Sequence, residues 1–185
     1  QCCADIATSE FDQLDHVLNL ATTPEDYLSI VLGKTAGPFS AGCHAAGLVA
    51  GLSEEKALAL KRFGMELGIA FQLVDDLLDL RGDERMGKPR GADVLEGKMT
   101  LPLIHALTLS HGAERIRLAE IIEDFSDENF DELMYLLTRS DSMNYAKILV
   151  QTHLERAISE LSHFEESEAK QHMLRIAEYV MNREM

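Results

Sequence analysis

Three closely spaced aspartates are the residues best suited to chemistry in this sequence. Asp75, Asp76 and Asp79 follow Gln72 in the segment GIAFQLVDDLLDLRGD, which begins at Gly68. Side chains three or four residues apart lie on one face of an α-helix, so this spacing groups the three carboxylates with the Gln72 amide. Like charges at such spacings cost about 0.2–0.5 kcal/mol per pair, and a bound cation would relieve that cost.

The ligand atoms indicate which cation this would be. Carboxylates supply only oxygen, which suits Mg2+, or Mn2+ as the alternative, better than Zn2+. Mg2+ keeps several waters and is usually shared with the phosphates of a substrate. Lys88, Arg90 and Lys98 follow in the next segment and are candidates to meet such phosphates, although an ion pair within the loop is the simpler interpretation of Arg90. For the DDLLD motif by itself, a solvated acidic helix end is the simpler interpretation, and the flanking segments decide between the two.

The composition restricts the partners. The 185 residues carry a net charge of −15, which predicts repulsion from nucleic acid and from anionic membranes. A phosphate ligand must then be held through metal ions or a few local cations. No apolar run approaches the roughly 20 residues that a membrane span requires. Cys2, Cys3 and Cys43 fit no zinc pattern, which predicts free thiols in a reducing compartment and a cytoplasmic protein.

The hydrophobic pattern predicts an all-α fold with a single helical domain over residues 1–185. Helices are expected over residues 4 to about 20 and, as the longest, over residues 54 to about 81. A loop follows over residues 82–99, and loops of that length tend to be functional. The helix starts are predicted from capping residues. These residues are Thr23, Ser53, Thr100, Ser126, Ser167 and either Asp141 or Ser142.

Proline and glycine add two expectations about helix packing. Pro38 is expected to kink or end its helix about one turn after Lys34, because proline lacks the backbone N–H. Gly64 and Gly68 lie inside the longest helix, where each costs about 1 kcal/mol relative to alanine. They predict tight packing against a neighbouring helix.

These segments, taken in order, resemble one enzyme family. Residues 63–103 are similar to the second aspartate-rich region of the trans-prenyl diphosphate synthases, through FG, LGIAFQLVDDLLD, GKPRGAD and EGKMTLPLI. YLSIVLGKTA, from Tyr27, is similar to the family's YLxII-x-KTA helix, and residues 10–14 match its E-x-x-Q-L. Ser9 replaces a more usual glycine, and Pro38 replaces a leucine of the long-chain synthases. The resemblance covers about the first 110 residues.

The resemblance implies the C-terminal part of the isoprenoid-synthase helical bundle. It implies Mg2+-dependent elongation of an allylic prenyl diphosphate by isopentenyl diphosphate, through ionisation, condensation and elimination. Asp75 and Asp76 would then be metal ligands, and Asp79 would be a further ligand or an acceptor that supports them. The implied diphosphate-binding lysines are Lys34, Lys88 and Lys98. The implied groups beside the prenyl chain and the reacting carbons are Thr35, Gln72 and Phe71, and Lys34, Thr35 and Gln72 form the catalytic set.

One part of the family pattern is missing from this sequence, namely the first aspartate-rich motif. We therefore expect the chain to be the C-terminal half of a longer enzyme and to be inactive alone, because half of the metal clamp is missing. Intact members of the family are commonly homodimers, and a truncated bundle would expose an apolar face that favours self-association. The alternatives are a non-catalytic regulatory subunit of a prenyl diphosphate synthase and a helical scaffold without a ligand.

Overall fold

Helices form the whole of the regular structure in the residues described by the computed structural model, which are residues 2–81 and 90–183. No strand is present in those residues, so the all-α prediction is confirmed. None of these helices combines the length and the apolar character needed to cross a bilayer. The α-helices are α1 (Cys2–Asp15), α2 (Pro24–Val31), α3 (Gly37–Val49), α4 (Glu54–Arg81), α5 (Ala92–Leu95), α6 (Leu101–Leu109), α7 (Gly112–Glu123), α8 (Phe130–Arg139), α9 (Ser142–Glu160) and α10 (Glu168–Asn182).

The long helix α4 lies at the centre of the bundle. It packs against α3 on one side and against α9 on another. Leu73, Val74 and Leu77 on its inner face are at most 1% exposed. The predicted extent of this helix is confirmed, and its last two turns carry the aspartates. The buried face of α4 therefore fixes the direction in which those carboxylates leave the core.

Two glycines of α4 permit the close approach of its neighbour. A Cβ atom placed on Gly64 would lie 2.5 Å from the carbonyl oxygen of Phe39, and one on Gly68 would lie 2.6 Å from Cα of Ala36. Both obstacles are backbone atoms, which no side-chain rotation can remove. The predicted tight packing at these glycines is confirmed.

The chain stays helical between α2 and α3. A π-helical turn, Leu32–Ala36, joins the two helices, and the Gly37 amide donates to the carbonyl oxygen of Leu32. Pro38 follows in the first turn of α3, where a missing N–H group is tolerated. Pro38 therefore does not end the helix, and the irregularity takes the form of a widened turn just before it. Such π turns occur frequently at functional sites.

Most of the predicted helix starts are confirmed. Thr23 and Asp26 form a capping box at α2, with Pro24 in its first turn. The Ser167 hydroxyl accepts from the backbone of the first turn of α10. Thr100 has the N-cap position of α6, but its hydroxyl makes no capping hydrogen bond and is buried without a partner. That predicted cap is therefore correct in position and wrong in its interaction.

The first helix ends earlier than predicted. α1 stops at Asp15, and Leu18 has a left-handed backbone with φ of 53°. The Leu18 amide donates to the carbonyl oxygen of Gly97 at 2.8 Å, and the Leu18 and Val17 side chains pack where a Cβ of Gly97 would lie. This contact ties the turn after α1 to the segment between α5 and α6.

Large apolar side chains of α1 and α3 remain exposed to solvent. Phe11 is 70% exposed, Leu14 64% and Val49 90%. Exposed apolar patches of this kind usually mark interfaces. Covering such side chains stabilises an association by about 1.5–3 kcal/mol each.

We therefore expect this chain to self-associate at micromolar concentration, as measured by sedimentation equilibrium. Replacing Phe11 and Leu14 together by serine should weaken the association about tenfold or more, because each buried side chain contributes at least that much. Ile176→Ser removes an exposed apolar side chain from α10 and is the matched control. A monomeric wild-type chain would contradict the expectation.

Candidate functional site

One cavity of about 180 Å³ is lined by most of the residues that the sequence singled out. Its walls come from α1, α2, the π turn, α4 and the segment from α5 to α6. Asp79 and Phe71 are not among its lining residues, and Lys88 lies outside the described residues. The predicted site residues that line it are Lys34, Thr35, Gln72, Asp75, Asp76 and Lys98.

The three aspartates of α4 have different surroundings. Asp75 is exposed and lines the cavity, whereas Asp76 lines it from a position that is only 4% exposed. The Asp79 carboxylate accepts from the backbone amide of Asp93 at 3.1 Å. The Asp79 carbonyl oxygen accepts from the Gly91 amide at 2.9 Å. Asp79 thus holds the start of α5, and its role as a metal ligand or as an acceptor behind the ligands stays a prediction.

Both oxygens of Asp76 accept hydrogen bonds. The Tyr27 hydroxyl donates to Oδ2 at 2.6 Å, and the Gln72 amide donates to Oδ1 at 2.9 Å. The Thr35 hydroxyl in turn donates to Oε1 of Gln72 at 2.8 Å. A continuous line of hydrogen bonds therefore links α2, the π turn and α4 at the cavity.

The electrostatics of these groups show an excess of negative charge. Burial raises the pKa of Asp76 to about 7, and the nearby charges of Asp93 and Asp75 add to the effect against the hydrogen bonds that it accepts. Burial, followed by the charge of Asp93, raises the pKa of Asp79 to about 6. Burial, followed by the charge of Asp76, raises the pKa of Tyr27, so its hydroxyl stays protonated and remains a donor. A cation in the cavity would offset these costs.

Two lysines from different elements line the cavity, Lys34 from the π turn and Lys98 from the segment between α5 and α6. Nζ of Lys34 lies 3.1 Å from a carboxylate oxygen of Glu10. Nζ of Lys98 lies 2.7 Å from oxygens of both Asp93 and Glu96. Both lysines are about one-third exposed, and ion pairs at such positions contribute little to stability. Their ammonium groups can therefore exchange these partners for the oxygens of an anionic ligand at small cost.

Arg90, in contrast, does not line the cavity. Its Nε donates to Asp127 at 3.0 Å, and Nη1 lies 3.5 Å from Asp131. The guanidinium carbon lies 4.4 Å from the ring centroid of Phe130. Arg90 therefore forms the ion pairs that were the simpler interpretation of this residue, and a phosphate-binding role is not supported. It anchors the segment before α5 to α8 and to the short turn that precedes α8.

The cavity also contains residues to which the sequence analysis assigned no role. Asp93 and Tyr27 line it, and so does Gln13, whose amide oxygen accepts from Lys34 at 2.8 Å. His16 lines it as well, with Nδ1 2.9 Å from the Thr22 hydroxyl. Gln13, Tyr27 and Asp93 fall inside the EFDQL, YLSIVLGKTA and GKPRGAD segments, which were the available signals. His16 lies outside them and had no signal.

Phe71 lies on α4 away from the cavity lining. Its ring centroid is 5.6 Å from that of Phe39, and the Arg183 guanidinium lies 5.5 Å from the Phe71 centroid. Phe71 is partly buried rather than enclosed. Its role beside a prenyl chain stays a prediction.

The donor set fits Mg2+ that is shared with a diphosphate. In residues 2–81 and 90–183, no three Asp, Glu, His or Cys side chains are grouped to hold a metal ion by themselves. Asp75 and Asp93 nevertheless line one cavity together with two lysines. Mg2+ needs only one or two protein carboxylates when water and phosphate oxygens supply its other ligands. The oxygen ligands and the nearby cations therefore suit a metal-complexed diphosphate.

The fold and the site together describe an all-α protein with an acidic, lysine-bearing cavity at the end of its central helix. The family model for polyprenyl synthetase matches residues 1–177. The chain therefore belongs to the polyprenyl synthetase family, and the family prediction is confirmed.

Three similar proteins illustrate the match. Octaprenyl diphosphate synthase of Haemophilus influenzae is 35% identical over 174 residues, which cover 93% of this chain and 53% of that one. The structure of a decaprenyl diphosphate synthase from Rhodobacter capsulatus aligns with a TM-score of 0.92 at 36% identity, over 100% of this chain and 57% of that one. A polyprenyl synthase from Caulobacter crescentus, solved with calcium and isoprenyl diphosphate, gives 0.91 at 30% identity over the same shares. The chain thus spans about half the length of its relatives and matches their C-terminal half.

Proposed function

We propose that the intact protein is a prenyltransferase that elongates an allylic prenyl diphosphate with isopentenyl diphosphate. Membership of the polyprenyl synthetase family supports this proposal. The observation that carries it is the single cavity in which Asp75 and Asp93 lie with Lys34, Thr35 and Lys98. Acidic groups and ammonium groups on one cavity are what a diphosphate bound through a divalent cation requires.

The main task of such a site is to stabilise the charge on the departing diphosphate. Lys34 and Lys98 would bind its oxygens in place of their present carboxylate partners, as point charges. Asp75 and Asp76 would hold Mg2+ together with Asp93, and Asp79 would be a further ligand or an acceptor behind the ligands. The cation, when bound, supplies Lewis-acid stabilisation of the leaving oxygens. Charge stabilisation that is organised in advance usually contributes most of the rate acceleration in such reactions.

Thr35 and Gln72 would act on the hydrocarbon part of the reaction. The Thr35 hydroxyl hydrogen is used in its bond to Gln72, which leaves the lone pairs of the hydroxyl oxygen available. Such an oxygen can stabilise the allylic cation and orient the proton that is lost. Lys88 and Phe71 are proposed to serve the diphosphate and the prenyl chain, respectively.

The proposal also covers the domain organisation, the oligomeric state, the location and the ligands of the protein. We propose that residues 1–185 form one helical domain of a cytoplasmic homo-oligomer whose ligands are the two prenyl diphosphates and Mg2+, or Mn2+. The exposed apolar residues of α1 and α3 support association, and three free cysteines fit a reducing compartment. A net charge of −15 disfavours nucleic acid as a partner.

A prenyl-transfer assay with isopentenyl diphosphate and an allylic diphosphate tests the proposal. We expect turnover by the intact protein in the presence of Mg2+ and no turnover by the 185-residue chain alone. In the intact protein, Asp75→Ala should lower kcat about 100-fold, because charge stabilisation of the leaving group is weakened. Asp124→Ala, at an exposed position at the end of α7, is the matched control.

The outcomes of this assay test separately the inactivity of the 185-residue chain and the prenyltransferase function of the intact protein. Turnover by the 185-residue chain would contradict its expected inactivity alone. Failure of the intact protein to turn over would contradict the prenyltransferase function and favour a regulatory subunit. If Mg2+ and pyrophosphate bind equally to the wild-type chain and to Asp76→Ala, as judged by calorimetric titration, a helical scaffold is favoured.

A further inference from the structure

Tyr27 is a buried residue of α2 whose hydroxyl reaches the central helix. Its side chain is 6% exposed and packs in the core, and its hydroxyl lies 2.6 Å from Oδ2 of Asp76. The capping box of Thr23 and Asp26 fixes the start of α2, and the Tyr27 amide donates to the Thr23 carbonyl oxygen. The hydroxyl therefore extends from a firmly held helical turn.

Tyr27 differs from the other donor to Asp76. Gln72 lies on the same helix as Asp76, one turn earlier, so its hydrogen bond orients the carboxylate only relative to α4. Tyr27 comes from α2, and its hydrogen bond fixes the carboxylate relative to a second helix. A buried carboxylate requires such donors, because each polar atom that is removed from water without a partner costs free energy.

The hydrogen bond from Tyr27 to Asp76 joins two parts of the proposed site, the run from α2 into the π turn and the acidic end of α4. α2 runs directly into the π turn that carries Lys34 and Thr35. α4 carries Asp75 beside Asp76, and Gln72 also accepts from Thr35. The Tyr27 hydroxyl and the Thr35 hydroxyl thus each provide a hydrogen-bonded link from this helical run to the acidic end of α4.

We propose that Tyr27 is a positioning residue: its hydroxyl holds Asp76 so that the acidic end of α4 and the π turn with Lys34 and Thr35 face one bound metal–diphosphate complex. The inference rests on the proposed function and assigns Tyr27 a part in it. A purely structural tyrosine would contribute through its ring. Tyr27→Phe keeps the ring and removes only the hydroxyl, so it separates the two roles.

Binding of Mn2+ in the presence of inorganic pyrophosphate, measured by electron paramagnetic resonance on the 185-residue chain, tests the proposal. We expect Tyr27→Phe to weaken Mn2+ binding about tenfold or more, the usual effect of removing a group that orients a metal ligand. Tyr135→Phe, which changes an exposed tyrosine of α8, should bind Mn2+ as the wild type does. Circular dichroism and the thermal midpoint report separately on folding.

A double-mutant cycle shows whether Tyr27 acts through Asp76. We expect the double variant Tyr27→Phe with Asp76→Asn to bind Mn2+ no more weakly than Asp76→Asn alone, because the two residues share one interaction.

Unchanged binding in Tyr27→Phe, or additive losses in the double variant, would overturn the proposal. If Asp76→Asn weakens binding and Tyr27→Phe does not, only this inference fails. If the wild-type chain binds no Mn2+ with pyrophosphate, this inference fails, and the prenyl-transfer assay on the intact protein still decides the proposed function separately.

A measurement on the wild-type chain covers the case in which Tyr27→Phe does not fold. With 13C-labelled tyrosine and aspartate, NMR can follow Cζ of Tyr27 and Cγ of Asp76 during titration with Mg2+ and pyrophosphate. We expect both resonances to shift with one midpoint. A Tyr27 resonance that stays in place while that of Asp76 moves would overturn the proposal.

Discussion

Replacing Asp76 by asparagine is expected to raise the free energy of unfolding at pH 8 by about 2–4 kcal/mol. Burial raises the pKa of Asp76 from 3.8 to about 7 in the folded protein. Between pH 3.8 and about pH 7, the folded protein keeps Asp76 protonated, whereas the unfolded chain has already released that proton. The contribution of Asp76 to stability is therefore most favourable below about pH 4, falls as the pH rises to about 7, and is constant at higher pH. Asparagine keeps an oxygen acceptor for Tyr27 and removes the charge.

Urea unfolding without metal at pH 5 and at pH 8 measures this effect. The stability of the wild-type chain should fall between the two pH values, and that of Asp76→Asn should fall much less. Asp79, whose pKa is raised to about 6, changes the stability with pH in the same direction. Its contribution is smaller, because its side chain is more exposed to solvent. Asp124→Asn is the control at an exposed site and should follow the wild type. Parallel pH dependences in Asp76→Asn and the wild type would show that Asp76 is not the cause.

The substitutions Gly64→Ala and Gly68→Ala are each expected to destabilise the fold by about 1–2 kcal/mol. The added methyl group would meet the carbonyl oxygen of Phe39 in the first case and Cα of Ala36 in the second, at 2.5 and 2.6 Å. Overpacking of this kind costs about 1–3 kcal/mol when the obstacle cannot move aside. The intrinsic helix preference of alanine, about 1 kcal/mol over glycine, offsets only part of that cost.

Gly42→Ala provides a control of opposite sign within the same chain. Gly42 is helical in α3, and a Cβ atom there would meet no atom within 4 Å. Alanine should therefore stabilise the protein by about 0.5–1 kcal/mol. Chemical denaturation of the three variants measures all three effects. If all three alanines prove stabilising, the close contact between α4 and the run from the π turn to α3 is not rigid.

The Gly68 substitution has a second expected effect, on the site. Gly68 contacts the π turn at Ala36, next to Thr35. A displaced turn would lengthen the hydrogen bond of 2.8 Å between Thr35 and Gln72. We therefore expect Gly68→Ala to weaken binding of Mg2+ with pyrophosphate more than Gly64→Ala does at comparable stability, as measured by calorimetry.

The helix positions could be predicted from the sequence wherever local residues determine them. Thr23 with Pro24, and Ser167, act on the first turn of their own helices, so sequence alone located α2 and α10. The end of α1 depends instead on a contact between Leu18 and Gly97, which lie far apart in the sequence. No local pattern contains that contact, and the helix was predicted too long.

The sequence predicted which residues meet at the site, but it did not predict what surrounds each of them. Helical spacing correctly placed Asp75, Asp76 and Gln72 at one cavity. Spacing gives the direction of a side chain from its helix and not its depth, which depends on what packs against it. Tyr27 from α2 buries Asp76, and α5 engages Asp79, and both partners come from other parts of the fold.

The π turn at Leu32–Ala36 restricts how the chain can change in length. A π turn holds one residue more than the corresponding α-helical turn, so loss of one residue there would restore regular hydrogen bonding. The extra residue is taken up within the wide turn, so its loss would leave α2 and α3 facing α4 as before. The loss would instead move Lys34 and Thr35, which the turn itself carries. Across related sequences, we therefore expect a deletion at this turn to change the placement of these two residues while the contact between Ala36 and Gly68 is kept.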